Sequence, residues 1–287
     1  MNFVILDLEW NGSYSKKLKQ YINEVIQFGA VKVTEDLTVI DTFDTFVKPQ
    51  VGKAISEKVE TLTNITNEDL QAGLQFMQAV SRFRKWMGDG ILLTWGTSDI
   101  LVLIQNCRYF CGNERIPFLD QYIDLQHYCE DCLNYEKGKQ MGLSTAAQLL
   151  EIDEEGVDHH RALDDSMLSL ACLRKIYQKE RLMALCQDAK SQEFYDRMQF
   201  KTVIICDLKN PLIKRSDLIF HCPNCGKRAK RKEQWVLKNK SYRAPFICQA
   251  CGNHFLGRVQ FKLKYEGLIA KKAVLPIEEE QAAPKKE

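Results

Sequence analysis

Asp7 and Glu9 stand one residue apart in FVILDLEW, an apolar run with the β-branched and aromatic residues of a buried strand. That spacing puts both carboxylates on the same face of the strand. Like charges aimed together from an apolar strand are costly unless something neutralises them, and hard oxygen donors suit magnesium or manganese. Two more carboxylates stand where elements begin. Asp99 follows the apolar run ILLTWG and opens the helical stretch SDILVLIQNCRYF, while Asp165 lies in HRALDD at the start of another helix, five residues after His160.

A second set of residues points to different chemistry. Cys222 and Cys225 (CPNCGK) and Cys248 and Cys251 (CQACGN) form two Cys-x2-Cys knuckles separated by 22 residues. Each knuckle offers two thiolates from a tight turn that Gly226 and Gly252 suit, and four such thiolates make a site for one structural zinc ion. The gap exceeds the usual spacing of about 15 to 20 residues, which a β-hairpin with a long loop accommodates. Apolar segments around 235–237 and 255–261 supply its strands. Disulfides are disfavoured because no secretion signal precedes the chain. Cys129 and Cys132 share the spacing, with His127 nearby, but lack a partner knuckle and read as helical; Cys107, Cys111, Cys172, Cys186 and Cys206 read as small buried apolar residues. His221 and His254 flank the knuckles as alternative ligands. Lys227, Arg228, Lys230, Arg231 and Lys232 follow the first knuckle, with Trp235 just beyond. Basic residues interleaved with aromatics hold phosphates and stack bases, the alternative being a solvated loop on a ribbon that contacts protein.

The order Asp-x-Glu, Asp, His-x-Ala-x-x-Asp resembles the DEDDh family of 3′-to-5′ exonucleases, over roughly residues 2–177. The segments EVIQFGAVKV, FDTFVKP, LTNITNEDL, TWGTSDILVL and DLQHYCEDCLNYEKGKQMGLSTAAQLLEI are similar to the Eri1- and KapD-like branch. The resemblance implies an α/β fold, an RNase H-like mixed five-stranded sheet flanked by helices, to which the cysteines add a small zinc-ribbon β domain. It also implies that Asp7, Glu9, Asp99 and Asp165 hold two magnesium or manganese ions, with Asp7 the bridge, and that His160 accepts a proton during phosphodiester hydrolysis. His160 fits the motif because Ala162 and Asp165 follow at the required spacing, whereas His159 would need alanine where Arg161 stands. The substrate implied is the 3′ end of single-stranded nucleic acid, RNA before DNA, shortened by release of nucleoside 5′-monophosphates. The 3′ hydroxyl would be read around Leu8 and Glu9. Trp10 is open to two readings, a platform for the terminal base or a core aromatic, and Trp-Asn-Gly at this point departs from the family pattern. A DNA exonuclease is one alternative. A regulator whose ribbon recruits protein or structured RNA is another.

These residues need elements to hold them. The chain has 287 residues, 45% hydrophobic and 27% charged, enough for two cored domains. No apolar run reaches about eighteen residues and no signal core opens the sequence, so a cytoplasmic protein without membrane association is expected. The net charge of +2 divides unevenly: residues 1–206 hold 22 Lys and Arg against 30 Asp and Glu, residues 207–287 hold 18 against 8. The C-terminal part is therefore the expected footprint on a polyanion. Strands are expected at 2–9, 24–33 and 39–48, with NGSYSKKLKQ as the first loop. Helices fill 54–88, with Thr66 and Asp69 as a capping pair. Strands near 91–96 and 117–123 and helices at 124–134 and 144–151 follow. The last helix shows an apolar stripe of Leu163, Met167, Leu170, Leu173 and Tyr177, with Asp165 off it. The expected domains are an exonuclease at 1–180, a helical and extended connector at 181–217, the ribbon at 218–275 and a disordered charged tail at 276–287.

Overall fold

The strand that carries Asp7 and Glu9, β1 (Asn2–Ser15), opens with Phe3, Val4, Ile5 and Leu6 buried on both faces, the pattern of a central strand. In this computed structural model, which describes residues 1–136, 138–153 and 161–276, β1 pairs antiparallel with β2 (Gln20–Thr34). The edge strand β3 (Val39–Phe46) pairs antiparallel with β2. The hairpin runs further than NGSYSKKLKQ suggests: residues 11–15 pair with 20–24, leaving only 16–19 as the turn. Asn11, Ser13 and Ser15 point inward and are buried, and the Asn11 side chain donates to Ser13 Oγ (3.1 Å) and accepts from the Ser56 amide (3.1 Å). Polar residues with polar partners make a strand here, so no apolar alternation announces it.

Residues 54–88 give three helices, α1 (Glu57–Thr63), α2 (Asn67–Gln71) and α3 (Phe76–Met87); Thr66 and Asp69 form the expected capping box. Then follow β4 (Ile91–Thr94), α4 (Ser98–Cys111), β5 (Gln121–Asp124), α5 (Leu125–Cys132), α6 (Leu143–Leu149) and α7 (Ala162–Ile176). β4 lies parallel to both β1 and β5. Beyond α8 (Lys179–Met183), the two-residue β6 (Gln187–Asp188) adds a sixth, antiparallel strand, giving the order β3-β2-β1-β4-β5-β6; α9 (Gln192–Gln199) closes this unit. Alternation along β1 makes two cores. Val4, Leu6 and Leu8 face Phe83, Leu103 and Tyr195, while Phe3 and Ile5 belong with Tyr128, Leu170 and Leu182.

The chain divides into two compact units, Met1–Gln199 and the part from Phe200 onward. Residues 181–217 are accordingly shared between the units: Leu182, Phe194 and Tyr195 enter the cores of the first, while β7 (Val203–Ile205) pairs within the second. The second unit holds β8 (Lys230–Arg231), β9 (Val236–Lys238), β10 (Ser241–Ile247), β11 (His254–Lys264) and β12 (Gly267–Leu275). The sheet runs β12-β11-β10-β8, with β7 on β11 and β9 on β10. Its core includes Phe220, Phe246, Phe255 and Phe261, the rings of Phe246 and Phe255 stacked at 5.6 Å. The tail at 276–287 lies, apart from Pro276, outside the described residues, as do His159 and His160. Among the described residues no helix is long and apolar enough to cross a membrane.

Candidate active site

Ligand oxygens of Asp7, Glu9 and Asp165 lie within 4.8 Å of one another, although about 160 residues separate the first from the last. The cause is a glycine. Asp7 is paired across the sheet with Gly29, and the start of α7 rests on Gly29 so closely that a Cβ there would lie 2.0 Å from the Leu163 nitrogen. Ser166 Oγ donates to the Gly29 carbonyl (2.8 Å), and Gln27, fixed by its own bond to Asp44 (2.7 Å), accepts from the Ala162 amide (3.4 Å). Asp165, in the first turn of α7, is thereby delivered beside Asp7. The buried face of α7 contains Ala162, Ser166 and Ser169 as well as Leu170 and Leu173, whereas Met167 is 38% exposed. Small polar residues against the sheet replace part of the expected apolar stripe, because only they permit this approach.

Asp99 arrives from the other side. β4 ends with Thr94 opposite Leu6, and beyond that point the Leu8 amide donates to Asp99 Oδ1 (3.1 Å), in the first turn of α4. That bond ties the middle of the Asp7–Glu9 segment to the start of α4. The positive ends of α4 and α7 favour Asp99 and Asp165, yet the group remains short of positive charge. Burial, then repulsion by Asp99, Asp165 and Glu9, holds Asp7 well above the usual carboxylate range. Burial and the charges of Asp165 and Asp99 push Glu9 up to about 8, against the pull of Arg161. Asp99, raised by burial to about 7, is restrained by backbone donors, including the Leu8 amide. Arg161 itself lies over the Phe46 ring (5.3 Å) and donates to the Asn64 carbonyl (3.4 Å). Clustered oxygen donors that resist ionisation together are a donor set that fits divalent cations.

A cavity of about 740 Å³ opens over these carboxylates, walled by Val59, Leu62 and Thr63 of α1, by Trp95 and by the start of α6. Trp10 packs on the core and also borders this cavity. A break in β1–β2 register between Glu9 and Trp10 marks the cavity's edge, a common position for a bulge. His160 lies outside the described residues; Arg161, next to it, is the N-cap of α7. Gly29, Gln27, Ser166 and Arg161 are the parts of the site without a motif. Gly29 does carry a signal, since glycine inside an apolar strand marks close backbone approach.

In the second unit, the sulfurs of Cys222, Cys225, Cys248 and Cys251 lie within 4.8 Å of one another. The knuckles are built alike. The Gly226 amide donates to the Cys222 carbonyl (2.9 Å) and the Gly252 amide to the Cys248 carbonyl (2.8 Å), both glycines having φ of 71°. Burial raises the Cys222 thiol, but amides of Cys225 and Asn224 outweigh it and bring Cys222 to about 6; the Cys251 amide likewise lowers Cys248. Against the Asn253 amide, the hydrogen bond to Cys222, burial and the bonds to Cys225 and Cys248 push Cys251 up to about 12; the sulfurs, 3.4 to 3.6 Å apart across the knuckles, fit a tetrahedral cation. His221 and His254 are exposed and outside the cluster, and Cys129 and Cys132 lie on α5. Cys107 and Cys172 are buried as expected; Cys111 and Cys186 are only partly so, and Cys206 is exposed, because each sits at an element's end. Lys227, Arg228, Lys230, Arg231 and Lys232 are all exposed, with Arg231 over the Trp235 ring (5.6 Å).

A mixed sheet between helical layers, with four carboxylates converging from β1, α4 and α7, defines an RNase H-like nuclease. The chain belongs to the exonuclease family RNase_T, which matches residues 4–173, and is a 3′-to-5′ exonuclease; the family implies dependence on divalent metal. The probable 3′-5′ exonuclease KapD of Bacillus subtilis (strain 168) is 26% identical over 192 residues, covering 63% of this chain and 87% of KapD. The PolC-type DNA polymerase III of Staphylococcus haemolyticus (strain JCSC1435) is 29% identical over 167 residues, 57% of this chain but only 10% of the polymerase. Among solved structures, a 3′-exonuclease that recognises the histone mRNA stem-loop aligns with a TM-score of 0.55 at 21% identity, covering 63% of this chain and 83% of that one. The nuclease domain of 3′hExo, a DEDDh family member bound to rAMP, aligns with a TM-score of 0.52 at 21% identity, covering 60% and 90%. At that identity the likeness is one of fold.

Proposed function

We propose that this exonuclease shortens single-stranded nucleic acid, RNA in preference to DNA, by water attack on the last phosphodiester, releasing a nucleoside 5′-monophosphate. The observation that carries this reading is the convergence of Asp7, Glu9 and Asp165, with Asp99 beside them, under an open cavity. Asp7, Glu9, Asp99 and Asp165 would hold two magnesium or manganese ions, Asp7 between them. Bound there, the ions would polarise the phosphodiester and make water a nucleophile near neutral pH. His160 takes the water proton on its imidazole as the oxygen bonds to phosphorus, and the departing 3′ oxygen of the shortened strand is protonated in turn. Trp10 and the wall made by Leu62 and Trp95 hold the terminal nucleoside away from bulk water. Cys222, Cys225, Cys248 and Cys251 hold one structural zinc ion, and Lys227, Arg228, Lys230, Arg231 and Lys232 contact the substrate backbone.

The RNA preference rests on the Eri1-like sequence segments, and it agrees with the histone mRNA stem-loop recognised by one fold neighbour and the rAMP bound by the other. The polymerase relative favours DNA as the second reading. Trimming of matched single-stranded RNA and DNA with magnesium or manganese separates the two. Faster loss of RNA, with nucleoside 5′-monophosphates as product, is expected; equal or faster loss of DNA would overturn the preference. Recruitment of a protein through the ribbon would instead leave trimming unchanged when Lys230 and Arg231 are both replaced by glutamate.

A further inference from the structure

We propose that the far end of the β1–β2 hairpin is a second nucleic-acid contact, a basic and aromatic finger that holds the single strand upstream of the cleaved nucleotide. This rests on the exonuclease reading above. Tyr14 and Tyr21 are cross-strand partners whose rings meet edge to face at 5.4 Å, yet they are 51% and 70% exposed. Lys16, Lys17 and Lys19 fill the turn between them, all exposed. Residues 10–23 contain these three lysines and no acidic residue, within a unit that holds 30 Asp and Glu against 21 Lys and Arg. A concentrated positive tip with two solvent-facing rings on an otherwise acidic body complements a flexible polyanion that also carries π-faces.

The finger is stiff and correctly addressed. β3 pairs with β2 only from Gln27 onward, so the free edge of β2 near the tip needs other partners. α4, the helix that carries Asp99, supplies them. Gln105 accepts from the Asn23 amide (3.0 Å) and donates to the Tyr21 carbonyl (3.1 Å), while the buried Asn106 accepts from the Val25 amide (3.3 Å) and donates to the Asn23 carbonyl (2.7 Å). Lys17 lies 5.8 Å from the centre of the Tyr109 ring, near the other end of α4. The Gly52 segment packs on the opposite face, its amide bound to the buried Glu24 (3.1 Å), so that a Cβ on Gly52 would meet Ser13 Oγ at 2.7 Å. Glu9 and Ser15 are six residues apart on one strand, about 20 Å. A dinucleotide in the cavity cannot span that distance; a longer strand can.

The test uses the full chain with Tyr21→Ala and, separately, Lys16→Glu with Lys19→Glu, each checked for an unchanged thermal midpoint. Affinity for a fluorescent single strand of about 12 nucleotides, without metal, and turnover of that strand and of a dinucleotide, with magnesium, are measured. Expected is roughly tenfold weaker affinity and higher KM on the long strand, a shallower salt dependence for the charge variant, and unchanged kcat/KM on the dinucleotide. Unchanged affinity and KM on the long strand, or equal losses on both substrates, would overturn the finger. The exonuclease reading fails separately, if the unaltered chain shortens neither substrate while still binding the long strand.

Discussion

Asp7 lines one cavity with three other carboxylates, and burial together with their repulsion holds it well above the usual carboxylate range. Relief of that repulsion should be measurable. Asp7→Asn is expected to raise the thermal midpoint of chelator-treated protein, by about 0.5–2 kcal/mol in stability, while reducing turnover at least a hundredfold. A melt and a trimming assay on the same sample check this; a destabilised or active variant would argue that Asp7 is an ordinary core polar group. The sign of the pH effect follows from the same group. Asp7 and Glu9 both have folded-state pKa values above those of the unfolded chain; the Glu9 contribution is intact below about pH 4 and is lost as pH rises toward about 8, and the Asp7 contribution is lost in the same direction. Metal-free protein should therefore melt at progressively lower temperature between these limits, and magnesium or manganese should reverse the trend. His160→Ala is expected to slow turnover by about 10² to 10⁴ and to change its pH profile without abolishing metal binding. Isothermal titration with manganese beside a pH–rate series separates the two effects.

At the scale of elements, α7 and the β1–β2 hairpin do most to shape the site, and both were only partly legible in the sequence. The DEDD residues declare themselves by type and spacing, because ligation tolerates few substitutes. The rotation of α7 does not, because Ser166 and Ser169 face the sheet in place of large apolar residues and Met167 is left outside. Residues 11–15 were likewise hidden, since their inward side chains are Asn and Ser: Asn11 bonds Ser13 and accepts from the Ser56 amide, and Ser15 accepts from the Leu18 amide. The capping box of α2 was readable because it is local, two side chains and two amides within four residues. Gly29→Ala tests the element-level argument. Its Cβ would overlap backbone of α7, so a loss of about 1–3 kcal/mol and a large fall in turnover are expected. Denaturant midpoints and kcat measure them, and a neutral substitution would show that α7 does not need this approach.

Over the whole molecule, two units carry two kinds of donor set: hard carboxylates in Met1–Gln199 and soft cysteine sulfurs from Phe200 onward. The carboxylates of the first are raised by burial and mutual repulsion, whereas in the second backbone amides lower Cys222 and Cys248 while the neighbouring sulfurs raise Cys251. Cys222→Ser should reduce bound zinc below one ion per chain and destabilise the second unit while leaving dinucleotide hydrolysis intact; elemental analysis and turnover on the same preparation report both. The measurement that bears most directly on the carboxylate site is the shortening of a 5′-labelled single strand with magnesium or manganese, compared for the unaltered chain, the chelator-treated chain and Asp7→Ala. Stepwise loss from the 3′ end by the unaltered chain alone is the expected result. Equal shortening by all three would contradict a metal-dependent reaction at Asp7.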